Sequence, residues 1–72
     1  MNYNKTELAT CYKFLSDGDK LTKKVTLHEM NTRGWSRRFV QQAILDGCGE
    51  NITLTPRLTE HGVGYYDIDF AG

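Results

Sequence analysis

Nothing in this 72-residue chain favours one sign of charge, since nine Lys and Arg balance nine Asp and Glu. A nucleic-acid binder carries a positive footprint, so here any such surface must come from the distribution of charge and not from its sum. Cysteine is scarce. Cys11 and Cys48 stand far apart with no C-x-x-C spacing, and with His28 and His61 they show no ligand-pair spacing, so neither a metal nor a cofactor is expected. There is no signal-peptide pattern and no apolar run of membrane-spanning length. The expectation is a cytoplasmic chain with two free thiols and no membrane partner. Catalytic groups are missing as well. The two histidines are the side chains that titrate near neutrality, and neither sits in a pattern with a serine, cysteine or carboxylate that suggests a nucleophile. No enzyme is expected.

What is present fits one small folded domain. Hydrophobic residues make up 39% and charged ones 25%, ordinary globular values. A core this small cannot wall a deep active-site cleft. The charges are also segregated. Lys20, Lys23, Lys24, Arg33, Arg37 and Arg38 face only Glu29 between Lys20 and Gln42, whereas from Asp46 onward five acids accompany Arg57 alone. A two-faced surface with one side suited to phosphate is expected.

Three helices are expected. Asn4 with Glu7 forms a capping-box pattern, and Leu8, Cys11, Tyr12 and Leu15 repeat at helical spacing, predicting a helix over 5–16 after a loose Met1–Tyr3. Ser16-Asp17-Gly18 is a turn, and Asp19–Lys24 is either a loop or a short strand leading into Val25. Thr26 with Glu29 opens a second helix over 26–32, with Leu27 and Met30 toward the core. Arg33-Gly34 makes the turn, and Trp35 packs at it. Ser36 is an N-cap for a third helix over 36–46, and Gly47 stands at its expected left-handed C-terminus. Phe39, Val40, Ala43 and Ile44 form its apolar stripe, leaving Arg37, Arg38, Gln41 and Gln42 outward. Arginine reads phosphate or guanine, and glutamine reads adenine.

Strand patterns follow. Asn51–Pro56 alternates Ile52 and Leu54 with threonines, and Pro56 should end its strand or sit at an edge. Val63–Phe70 also alternates, with a slip between Tyr65 and Tyr66 that marks a bulge or a change of buried face. Arg57–Gly62 is the polar loop between them. The fold class expected is α+β: three short helices followed by a β-hairpin over 51–70, the order of a winged helix-turn-helix, in a single domain.

Thr26-Leu27-His28-Glu29-Met30, followed by Trp35-Ser36-Arg37-Arg38-Phe39-Val40-Gln41-Gln42-Ala43-Ile44, resembles the helix-turn-helix of small bacterial and phage winged-helix regulators, especially the GntR-like kind. Gly62-Val63-Gly64-Tyr65-Tyr66 resembles the glycine-rich turn into their last wing strand. The resemblance implies a DNA-binding regulator or architectural factor whose Ser36 helix enters the major groove of double-stranded DNA. It implies that Ser36 caps and meets phosphate, Arg37 and Arg38 touch phosphate or guanine, Gln41 and Gln42 contact bases, and Arg57 lies near the wing. Lys23 and Lys24 belong to the basic stretch that positions the backbone. A domain this small contacts few base pairs, so a homodimer, tandem copies or a larger partner is expected beside it. The alternative is a protein-interaction module on the same fold, such as a phage-type inhibitor or adaptor, using Tyr65, Tyr66 and the acidic strand.

Overall fold

The computed structural model describes residues 3–18 and 20–70. Of the expected loose end, Met1 and Asn2 lie outside these residues, while Tyr3 is half-buried, its ring edge-on to Phe39 at 5.4 Å. Helix α1 (Lys5–Leu15) starts at Asn4, whose side chain accepts from the N–H groups of Thr6 and Glu7. It buries Leu8, Cys11 and Leu15, as its periodicity predicts. Its C-terminal carbonyls are among those a helix leaves unpaired. Here the Leu15 carbonyl accepts the Thr22 N–H at 2.6 Å and also the Thr22 hydroxyl. Between these residues runs a minimal hairpin, β1 (Ser16–Asp17) with β2 (Lys20–Leu21), turned at Gly18.

Strand β3 (Lys24–Thr26) leads directly into α2 (Leu27–Arg33). Thr26 and Glu29 form both halves of the capping box, the Thr26 hydroxyl accepting from the Glu29 N–H at 3.1 Å. Gly34, at φ 71°, closes α2 in the left-handed conformation, which glycine adopts without strain. Helix α3 (Arg37–Cys48) then begins at Ser36, whose hydroxyl accepts from the Phe39 N–H at 3.1 Å.

Two expectations about these helices are corrected. Leu27 is 43% exposed, and only Met30 of α2 is buried. At the first helical position Leu27 points toward the hairpin and not into the core. Gly47 is not the C-cap. The helix continues through it, and Gly49 caps it at φ 74° with its N–H donating to Leu45. Gly47 instead lies beneath Tyr12 of α1: a Cβ there would sit 2.4 Å from the tyrosine ring. The missing side chain lets the two helices approach.

Strands β4 (Ile52–Leu58) and β5 (Gly64–Phe70) form an antiparallel hairpin, and β3 joins β5 to give a three-stranded sheet in the order β3–β5–β4. Pairing runs unbroken from Ile52 opposite Phe70 to Leu58 opposite Gly64. Of the two readings of the slip at Tyr65–Tyr66, a bulge or a change of buried face, the bulge is therefore absent, and strict alternation puts Tyr66 on the face of Ile68 and Tyr65 on the opposite face. Pro56 does not end its strand; it lies within β4, on a strand at the sheet edge. One face of the sheet, through Val25, Ile52, Leu54 and Ile68, meets the buried stripes of all three helices. Tyr66 packs against that cluster. The architecture is α+β, with three helices and two small antiparallel sheets.

Candidate nucleic-acid interface

The outward side of α3 is set by its buried side. Phe39, Val40, Ala43 and Ile44 are buried, so the residues that follow the other stripe, Arg38, Gln41, Gln42 and Leu45, turn away from the core. Arg37 and Arg38 are exposed and the two glutamines are half-buried. Together with Tyr3, Asn51 and Ile52, Arg38, Gln41, Gln42 and Leu45 line a shallow depression of about 350 Å³. Of the α3 residues singled out from the sequence, Arg38, Gln41 and Gln42 thus share one surface, whereas Ser36 lines a different cleft and Arg37 lines neither.

The electrostatics of this surface are unusual for a helix start. The first turn of α3 holds no acid, and it carries two arginines. The N-terminal end of a helix bears partial positive charge from its free N–H groups, and a cation there is disfavoured by roughly 0.3–1 kcal/mol. Neither arginine forms an ion pair among the described residues. Two cations therefore stand at the positive end of a helix with no internal compensation.

The remaining predicted residues form a separate set on the outer face of the sheet. Lys24 and Arg57 lie on β3 and β4, on either side of Tyr65 on β5. The Lys24 ammonium sits 5.0 Å from the Tyr65 ring centroid, within reach of the ring's negative face. Arg57 is not in a loop; it lies within β4 and is ion-paired to Asp67. The Thr55 hydroxyl donates to Asp69 at 3.1 Å. Lys23 is exposed, and its carbonyl accepts from the Ile68 N–H. The described contacts do not join this set to α3. Of the residues named for the alternative surface, Tyr66 is turned to the core on the central strand and Asp67 is paired with Arg57.

Sequence reasoning missed a second feature beside α3. Phe14, Trp35, Phe39 and Tyr3 form a row of rings, with neighbouring centroids 5.4, 6.4 and 5.4 Å apart. The Arg33 guanidinium covers Phe14 at 3.9 Å from its centroid. These residues come from three separate stretches, and no spacing in the chain links them. Phe14 sits one position before the buried stripe, which was its only signal.

Burial pushes the Cys11 thiol up to about 11, and Cys48 is exposed. Among the described residues no cluster of three or more His, Cys, Asp or Glu is placed to hold a metal, and no helix is long and apolar enough to cross a membrane. Comparison with family models, curated proteins and solved structures gives no match.

Proposed function

We propose that this chain is a DNA-binding domain of the winged-helix kind, a small regulator or architectural factor that sets α3 into the major groove of double-stranded DNA. The observation that carries the reading is the uncompensated Arg37–Arg38 pair at the start of α3, continuous with Gln41 and Gln42 one turn on. A phosphate or guanine edge supplies the negative partner that the fold itself withholds, and the exposed helix start adds its own N–H groups. The arrangement around α3 supports the same reading. A glycine turn joins α2 to α3, a hairpin follows, and its return strand pairs with the strand that precedes α2.

In this mechanism Arg37 and Arg38 fix the register on the backbone, and Gln41 and Gln42 present amide groups to base edges. Lys23 and Lys24 add backbone contacts. Arg57 contributes least, because Asp67 already neutralises it.

The test is fluorescence anisotropy with a mixed-sequence duplex across a salt series, for example about 50 and 200 mM. Each phosphate contact adds about 0.9 to the slope of log affinity against log salt. Arg38→Ala should weaken binding and flatten that slope by roughly one contact. Gln41→Ala should leave the slope unchanged and relax sequence preference by about 1–3 kcal/mol at one base pair. Absence of salt-dependent binding by the wild type at low salt would refute the reading.

A further inference from the structure

The aromatic row frames a cleft of about 460 Å³ between the start of α1 and the α2–α3 turn. Tyr3, Trp35 and Phe39 supply its apolar lining, Thr6 stands on the α1 side, and Glu7 and Arg33 border it with opposite charges. The rings support one another edge-on and stacked, so the cleft is formed before anything enters it.

The same chain carries an apolar projection. Leu58 is 72% exposed at the end of the hairpin, and Val63 and Leu27 are exposed as well. Leu27 and Leu58 both approach the position where Gly64 lacks a side chain, so these two form one apolar patch. The turn that bears it is held in shape. The Thr59 N–H donates to Val63 at 2.9 Å, the Gly62 N–H donates to Thr59 at 2.9 Å, and the Val63 N–H donates to the Thr59 hydroxyl at 3.0 Å.

We propose that the hairpin end of one copy seats Leu58 in the aromatic cleft of the next, giving a head-to-tail self-association. Charge complementarity favours a second copy as the occupant. The hairpin turn carries Glu60 and His61, and the cleft border carries Arg33 and Glu7. None of the four is ion-paired among the described residues. Glu60 is the acid of the turn and Arg33 the base of the cleft border, so the two are complementary in charge. Leu27 begins α2 and Arg33 ends it, so projection and cleft lie toward opposite ends of this helix. Cleft against cleft would close a void between two depressions, whereas projection into cleft fills it. A heterologous contact of this kind does not close at two copies. It is also small, which makes it weak and concentration-dependent. The contact does not depend on the reading of α3 as a DNA-binding helix, although Ser36, which that reading gives to phosphate, also lines the cleft.

The experiment is sedimentation velocity of the free protein, without DNA, over a concentration series up to about 1 mM, where contacts worth only a few kcal/mol begin to associate. Wild type should gain mass continuously, past the dimer. Leu58→Asp removes the projection and Thr6→Trp fills the cleft. Both positions are exposed, and circular dichroism confirms that each variant folds. Each alone should be monomeric, and the equimolar mixture should stop at one-to-one dimers, because one good projection and one good cleft remain. Arg33→Glu and Glu60→Arg should each weaken association, and combining them in one chain should restore it. A wild type that stays monomeric, an association that ends at the dimer, or a mixture that stays monomeric would overturn the proposal.

Discussion

Gly47→Ala tests the seating of α3, and with it the direction in which the arginine face points. The change has two opposed effects. Alanine in a helix interior is better than glycine by about 0.8–1 kcal/mol. Its Cβ would, however, sit 2.4 Å from Cγ and Cδ1 of Tyr12. Those atoms lie near the root of the side chain, so the ring cannot evade the methyl by a small swing. Overpacking of this kind costs roughly 1–3 kcal/mol, so the net expectation is destabilisation by about 1 kcal/mol. In a Tyr12→Ala background the obstacle is gone, and the same Gly47→Ala change should stabilise by about 1 kcal/mol. The sign reverses, and the coupling between the two sites should exceed about 1 kcal/mol. Urea unfolding followed by circular dichroism, on the wild type, both single variants and the double variant, measures this. Gly49→Ala is the control: at φ 74° its cost of about 1–2 kcal/mol is a backbone cost, independent of Tyr12. Were Gly47 the left-handed cap, it would behave like this control. Stabilisation by Gly47→Ala in the wild-type background, or coupling no larger than about 0.5 kcal/mol, would refute the α1–α3 contact described here.

Three further outcomes are expected. Ser36→Ala removes the hydroxyl that accepts from Phe39, and should lower stability in the same unfolding assay by about 1 kcal/mol; Ser36→Asp should retain the cap yet weaken duplex binding in anisotropy, because it places a carboxylate where the proposal places phosphate. An aromatic disulfide reagent at mildly alkaline pH should titrate Cys48 rapidly in the native protein and Cys11 only after denaturation, since Cys11 is wholly buried. Stability should also fall as pH rises. The Cys11 thiol is held neutral up to about 11 against an ordinary value of 9.0, so between these values the unfolded chain releases a proton that the folded chain keeps. The contribution is complete below pH 9, is lost toward pH 11 and amounts to about 2–3 kcal/mol; a Cys11→Ala variant in urea unfolding should lack that part of the pH dependence.

Features that depend on neighbours within one helical turn could be read from the chain. Asn4, Thr26 with Glu29, and Ser36 announce helix starts because a cap needs only its own side chain and the next few N–H groups. Leu8, Cys11 and Leu15 announce a buried stripe because the helical repeat fixes which residues share a side. For the same reason the outward set Arg38, Gln41 and Gln42 was legible from periodicity alone. What depends on distant partners was not. Gly47 and Gly49 are equally good local stops, and the helix passes the first because Tyr12 packs over it. Tyr65 and Tyr66 look alike in sequence, and only the unbroken pairing of β5 with β4 assigns Tyr66 to the core. Arg57 looked like a free cation until register brought Asp67 to it. The aromatic cleft gathers Tyr3, Trp35 and Phe39 from stretches that no periodicity connects. Local backbone chemistry determined where elements begin; packing between elements, a property of the whole chain, decided where they end, which faces are hidden and which side chains remain free to bind.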